Sequence, residues 1–368
     1  MEGLSVCHVV NALGDTSMPG DLATTQASLD SFDRVGVLSW FDIDSFRGVD
    51  SIETVCLDVP DTLRITAEQY ATVKSVFAEY DIIHTHHPHS GFYAKLIATR
   101  LGKPIIHTEH NSHDGFTRKG RIANGLTNPL ADAVACVSES VRESFFRWER
   151  ILRADPDLSV INNGVDLDRL EAATDHEWSV YDAADITPSA VVVGSAGMLT
   201  EQKAHAILIE GVDRANSQSD RPIELVVSGD GELREELERQ IVQATHSDRL
   251  HLLGFLEERE QVYKMMDEID IYAMPSRWEG FCVAALEGLA LGKPCLFSDI
   301  PEFTEPFGDV ARFHALDDST DLADNITALA EDDQLRTELG DSARGLVLEE
   351  YTLEQTTRRY LRRYEELR

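Results

Sequence analysis

Short aliphatic and β-branched runs alternate with helix-period stretches along nearly the whole 368-residue chain. This alternation constrains the fold more than any other feature. "VCHVVNAL", "RVGVLSW", "DIIHTHH", "PIIHTEH" and "AVACVS" occupy the first half, and "AVVVGSAG", "IELVVSG", "LHLLG", "DIYAMPS" and "KPCLFSD" the second. Near-continuous apolar runs of this length read as strands buried on both faces, which is the condition of a parallel sheet covered by crossover helices. Helical periodicity between them predicts helices over 67–80, 204–215, 232–244 and 283–291. A polar, weakly periodic stretch from Asp166 ends at Pro188, just before a fresh apolar run. Two α/β domains with parallel sheets are therefore expected, at 1–175 and 188–350, followed by an arginine-rich amphipathic helix over 351–368. Ligands of open parallel sheets sit beyond the carboxyl ends of the strands. Two such domains facing each other would make a cleft, so informative residues are expected just after strands.

The charge balance excludes one broad class. Asp and Glu number 66 against 33 Lys and Arg, a net charge of -33, and only seven of the cations are Lys. Such a surface repels nucleic acid. Abundant acids with few lysines point to solubility in a high-salt cytoplasm, where screening over about 3 Å near 1 M weakens self-repulsion. No apolar run reaches the roughly 18 residues of a membrane span. "MEGLSVCHVVNALGDTS" lacks a basic leader and is expected to be a first strand, which suggests a cytoplasmic chain. Cys7, Cys56, Cys136, Cys282 and Cys295 show no metal-type spacing and are expected to be buried free thiols.

Within "SRWEGFCVAALEGLALGKP", Glu279 and Glu287 stand eight residues apart across a predicted loop-to-helix junction. The first-turn N–H groups, around Phe281 to Val283, have no intrahelical partner and with the helix dipole favour an anion. Glu287 falls about 9 Å further along the helix at about 1.5 Å per residue, a length that suits a nucleoside diphosphate. In so acidic a chain the same spacing also arises by chance. Lys203 heads another predicted helix, where it meets phosphate or is simply a solvated charge. Gly229-Asp230-Gly231 closes a strand with glycines that permit close backbone approach, or with Asp230 capping the next helix.

The order Lys203, "SGDGELREELE", "LHLLGF" and "PSRWEGFCVAALEGLALGKPCLFSD" resembles the C-terminal domain of glycosyltransferase family 4, retaining nucleotide-sugar enzymes of the GT-B fold. Glu279 through Glu287 matches that family's E-x7-E motif. "ADAVACVSESVRES" and "VINNGVD" resemble the end of its first domain, and the last helix resembles the segment that crosses back onto that domain. The resemblance implies that Glu287 binds ribose hydroxyls. Glu279, with Gly280, Phe281 and Cys282, would meet the donor sugar and distal phosphate. Lys203 would neutralise the diphosphate beside Gly197 and Gly229, and Gly254 and Phe255 would line the base. One departure is Met198, which stands where the family often has arginine, in Gly197-Met198-Leu199.

In the first half, Gly14 and Gly20 bound a loop resembling the family's glycine-rich loop, with Pro19-Gly20 in place of the frequent glycine pair. His84, His86, His87, His89, His107, His110 and His113 are dense, yet no carboxylate or cysteine spacing supports zinc, so no metal is expected. His110 corresponds to the histidine that family members place near the donor sugar, where it would act catalytically with Glu279 and Lys203. A satisfied structural histidine is the alternative. Arg118, Lys119, Arg121, Arg142, Arg147, Arg150 and Arg153 lie near Phe145, Phe146 and Trp148, a pattern suited to an anionic membrane or to ordinary packing. The resemblance thus implies transfer from a UDP- or GDP-sugar to a carbohydrate or polyprenyl-linked acceptor, by a front-face retaining route without cofactor or divalent ion. The rival readings are a non-catalytic nucleotide-sugar-binding protein and a nucleotide-sugar epimerase.

Overall fold

The computed structural model describes residues 3–368 except 16, 45, 47, 49–51, 61–64, 114–115 and 154–157. It comprises two compact units, Met1–Gly164 with Leu353–Arg368, and Val165–Thr352.

In the first unit, β1 (Leu4–Val10), β2 (Phe32–Ser39), β3 (Ile52–Cys56), β4 (Ile82–Thr85), β5 (Ile105–Glu109), β6 (Ala133–Cys136) and β7 (Leu158–Val160) form one sheet, ordered β3-β2-β1-β4-β5-β6-β7. Every pairing in it is parallel. Strands β4, β5 and β6 are buried at every position, as their unbroken apolar runs require. The helix Leu353–Leu367 closes this unit by placing Tyr360 and Tyr364 in its core beside Leu22, Ile82 and Ile106.

The second unit repeats the design with β8 (Val191–Ala196), β9 (Ile223–Ser228), β10 (Leu250–Gly254), β11 (Ile271–Met274), β12 (Cys295–Ser298) and β13 (Arg312–His314). Their order is β10-β9-β8-β11-β12-β13, again all parallel. Both are doubly wound, Rossmann-like sheets. Strand order reverses between β1 and β4 and between β8 and β11, and such reversals are where ligand crevices open in this class of fold.

Residues 165–187 depart from the expected boundary. They form helices Leu167–Ala173 and Val180–Ala184, which belong to the second unit. Arg169 Nη2 meets Glu260 at 3.0 Å, Ser179 Oγ donates to Glu268 at 3.0 Å, and Lys264 Nζ donates to the Thr174 carbonyl at 2.7 Å. The polarity that reads as a linker instead makes an ion pair and hydrogen bonds to the helix Arg259–Glu268. Cys56 also departs from expectation: it is exposed on the edge strand β3, while the other four thiols are buried.

Candidate active site

The second unit gathers its charged candidates at the β8/β11 reversal. Lys203 lies in the turn between β8 and the helix His205–Asn216, and Glu279 lies in the loop between β11 and the helix Val283–Ala290. The two loops are tied together. The Arg277 amide donates to the Gln202 carbonyl at 2.8 Å, and Gln202 Nε2 donates to the Trp278 carbonyl at 2.9 Å. This brings Lys203 Nζ to 2.7 Å from Glu279 Oε1 and 3.9 Å from Cys282 Sγ.

The pair is largely withdrawn from solvent, Lys203 at 16% and Glu279 at 7% exposure. Burial works against the Lys203 ammonium, but the neighbouring Cys282 sulfur and Glu279 carboxylate hold its pKa above the ordinary lysine value. Burial pushes the Cys282 thiol itself up to about 12, so it is neutral at pH 7 and the carboxylate is the partner that counts. The helix begins at Val283, where its periodicity starts, with Cys282 as its N-cap and no capping side-chain hydrogen bond. A positive charge therefore stands beside a helix amino end whose first-turn N–H groups need acceptors, which is an arrangement suited to phosphate.

Glu287 is buried further along the same helix. Its Oε1 accepts from Tyr263 Oη at 2.8 Å and from Arg259 Nη2 at 3.0 Å. Neither partner stands out in the sequence. Their i, i+4 spacing puts both on one face of the helix Arg259–Glu268, but nothing in that spacing says which acid the face will meet.

Glycines bring the three strand ends close. Gly197, Gly229 and Gly254 follow β8, follow β9 and end β10, with φ of 156°, 139° and 79°. The Gly197 amide donates to the Ser228 carbonyl at 3.0 Å, and the Gly229 amide to the Gly254 carbonyl at 2.8 Å. Phe255 projects outward at 71% exposure, and Met198 at 64%. Phe281 turns inward, its ring 6.0 Å from that of Phe307 and 5.6 Å from that of Tyr351, so only its backbone faces the loop.

In the first unit, Gly20 is not in a loop. It is buried in the first turn of the helix Met18–Ala27, which Ser17 caps by accepting from the Gly20 amide. A Cβ there would come within 2.9 Å of the Phe46 ring, which explains the glycine by packing. Thr16, in the expected glycine-rich loop, lies outside the described residues.

His110 follows β5 and is half-buried, with Nε2 at 3.1 Å from His86 Nδ1. Burial lowers its pKa to about 3, so it is neutral at pH 7. Ring nitrogens of His8, His84 and His86 lie within 4.8 Å of one another, and His8 Nδ1 and His86 Nε2, 2.9 Å apart, are within hydrogen-bond distance of each other. Glu109 is buried and satisfied separately, accepting from Asn124 and Asn128 with His107 and His113 each at 3.3 Å.

Two parallel doubly wound units, one carrying a buried ammonium–carboxylate pair at a helix amino end, define a GT-B protein. The model described as "Glycosyl transferases group 1" matches residues 184–346, and the one described as "Glycosyltransferase Family 4" matches residues 32–169. The chain belongs to the family 4 glycosyltransferases. Among its relatives is the UDP-Gal:alpha-D-GlcNAc-diphosphoundecaprenol alpha-1,3-galactosyltransferase of Escherichia coli, 28% identical over 60% of this chain and 58% of that protein. Another is the N-acetylgalactosamine-N,N'-diacetylbacillosaminyl-diphospho-undecaprenol 4-alpha-N-acetylgalactosaminyltransferase of Campylobacter jejuni, 24% identical over 67% of this chain and 63% of that one. The chain thus spans about three-fifths of the length of these relatives. The crystal structure of Anabaena Alr3699/HepE in complex with UDP has the same fold, with a TM-score of 0.79 at 19% identity, covering 99% of this chain and 100% of that one. Sucrose-phosphate synthase from Thermosynechococcus elongatus gives 0.75 at 17%, covering 99% of each.

Proposed function

We propose that the protein transfers a sugar from a nucleoside-diphosphate donor to an acceptor with retention at the anomeric carbon. The observation that carries this reading is the buried Lys203–Glu279 pair at the amino end of the helix Val283–Ala290. The diphosphate would sit on that helix end and on Lys203. The sugar would meet Glu279 and the Gly280–Cys282 backbone, the ribose would meet Glu287, and the base would lie by Gly254 and Phe255. His110 would hydrogen-bond a sugar hydroxyl. As the anomeric C–O bond breaks, its electrons go to the phosphate oxygen, which takes the acceptor proton while the acceptor oxygen forms the new bond on the same face. Among the described residues no step of this route needs a carboxylate nucleophile, and stabilising the departing diphosphate is the main electrostatic task. A UDP-sugar is favoured, since a protein of this fold is known in complex with UDP-glucose.

A thermal-shift and hydrolysis screen of UDP-, GDP- and ADP-sugars in molar KCl tests this reading. A true donor at 100 times its Kd is expected to stabilise the protein by about 2.7 kcal/mol and to be turned over. Stabilisation without turnover, in every acceptor tried, would favour a binding protein; the exposed Met198 in the usual arginine position is the observation behind that alternative.

The acceptor we favour is lipid-linked, because relatives are named for diphosphoundecaprenol-linked substrates. The first unit offers a surface for it. Ile122 and Leu126 on the helix Arg118–Thr127, and Trp148, Ile151 and Leu152 on the helix Arg147–Arg153, are exposed. Basic residues Arg118, Lys119, Arg147 and Arg150 are exposed beside them, and the one acid in the two helices, Glu149, is buried against His113. The Arg153 side chain lies outside the described residues. An apolar face rimmed by cations, on a chain of net charge -33, suits the anionic inner face of a membrane bounding a high-salt cytoplasm. Flotation with vesicles containing about one-third anionic lipid is expected to carry the protein, and the double change Ile151→Glu, Leu152→Glu to lower the bound fraction at least about fivefold. Equal flotation of both forms would remove this surface from the reading.

A further inference from the structure

One chain of buried polar groups lies outside the diphosphate chemistry. Gln26 Oε1 is 2.8 Å from His8 Nε2, His8 Nδ1 is 2.9 Å from His86 Nε2, and His86 Nδ1 is 3.1 Å from His110 Nε2. The other face of the Gln26 amide continues the chain in the opposite direction. Its Nε2 donates to Tyr364 Oη at 3.2 Å, and Tyr364 Oη is 2.7 Å from His84 Nδ1. His84 Nε2 in turn is 2.7 Å from Thr108 Oγ1.

Each imidazole in this chain is neutral: burial lowers His8 to about 4 and holds His84 and His86 well below the ordinary histidine range. A neutral ring carries one proton, so each must donate at one nitrogen and accept at the other. Every link also needs one proton. The run from Gln26 through His8 and His86 to His110 therefore has two self-consistent arrangements, and they interconvert only if all four members reverse together. His84 stands outside it, because the Tyr364 hydroxyl has lone pairs enough to accept from both Gln26 and His84. In one arrangement the Gln26 carbonyl accepts from His8, and His8, His86 and His110 all carry the proton on Nε2. In the other, the amide is turned and all three carry it on Nδ1. Neutral imidazole intrinsically prefers the Nε2–H form, so the first arrangement gains that preference at each of the three rings, and the coupling along the run makes them act as a unit.

We propose that His8 and His86, oriented by Gln26, are positioning residues that fix the proton of His110 on Nε2 and leave its Nδ1 as an acceptor for a substrate hydroxyl. His110 Nδ1 has no hydrogen-bond partner among the described residues, and the ring is half-buried. The proposal rests on the reading that His110 meets the donor sugar. It adds that the tautomer is set more than one residue away, and ultimately by an amide anchored to the C-terminal helix through Tyr364.

Long-range 1H–15N correlation of the full-length, 15N-histidine-labelled protein in molar KCl at pH 7.5 reads the tautomers directly. His8, His86 and His110 are expected in the Nε2–H form, His110 by an excess of at least about tenfold over Nδ1–H. In Gln26→Leu the carbonyl that accepts from His8 is gone, and the Nε2–H excess at His110 is expected to fall at least about threefold below that of the wild type. A wild-type His110 protonated on Nδ1 would overturn the proposal, and so would a variant that keeps the full Nε2–H excess. The wild-type spectrum decides even if the variant does not fold. His110→Ala turnover of the donor selected by the thermal-shift screen is a separate question: unchanged turnover would end the role of His110 with sugar, while the spectra would still report whether the chain sets its tautomer.

Discussion

Lys203→Ala is expected to lower turnover by about 30–1000-fold, which corresponds to about 2–4 kcal/mol of lost transition-state stabilisation. Charge on the leaving diphosphate grows as the bond breaks, so the ammonium interacts most strongly late, and kcat and kcat/KM should fall together. Glu279→Ala is expected to cost a similar factor, because the carboxylate holds Lys203 in place at 2.7 Å and, in the proposed function, would itself meet the sugar. Either single change also leaves a nearly buried charge without its partner, which destabilises the unit by about 1–3 kcal/mol after allowance for residual exposure. Loss of activity in a single variant is therefore ambiguous by itself. The double change Lys203→Met, Glu279→Gln removes both charges, and its denaturation midpoint should return toward wild type while turnover stays at the floor. Lys203→Arg should recover only part of the rate, since a planar guanidinium does not reproduce a compact ammonium in a turn packed against Gly197. Recovery of turnover in the neutral double variant would show that the pair serves folding alone.

Much of this arrangement is legible in the sequence because it depends on local chemistry. Strand β8 is buried at all six positions, and its run of valines announces that directly. Glu279, Glu287 and Lys203 fall just after strands or on the helix that follows, where the periodicity puts them. The elements that escape reading are three of the four sheet edges, β10 being the exception. Strand β3 has mostly exposed or half-exposed residues, and β7 and β13 have three residues each, so none presents an unbroken apolar run. Edge strands are half-solvated and short, which erases the pattern that marks central ones.

Long-range partners escape for a different reason. Arg259 and Tyr263 meet Glu287 across 28 and 24 residues of chain. Gln26 meets Tyr364 across 338. Neither contact has any local signature, because each is set by how separate strands and helices stack. The histidines illustrate the limit well: their density is plain in the sequence, but which nitrogen faces which depends on the sheet register that aligns His8 with His84.

Gly229→Ala is expected to destabilise the second unit by about 2–6 kcal/mol. The φ of Gly229 is 139°, a region that residues with a Cβ rarely occupy, at a cost of about 1–3 kcal/mol. A Cβ there would also stand 2.0 Å from the Gly197 carbonyl oxygen, which is backbone and has little freedom to yield. Forcing those turns apart adds about 1–3 kcal/mol by overpacking. Since a domain's total stability is about 5–15 kcal/mol, the change lowers the urea midpoint at fixed KCl substantially. It should also weaken donor-induced thermal stabilisation, because the displaced Gly197 turn packs on the Lys203 stem, 3.4 Å from the position of a Cβ on Gly197. Gly345→Ala supplies a comparison of opposite sign. That residue is exposed in the helix Asp333–Glu350, and nothing lies within 4 Å of its Cβ position. Alanine there should raise the stability by up to about 1 kcal/mol through helix propensity, and the midpoint with it. If Gly229→Ala instead unfolds within about 0.5 kcal/mol of wild type, the β8 and β9 turns are not interlocked, and Lys203 is not held rigid by them.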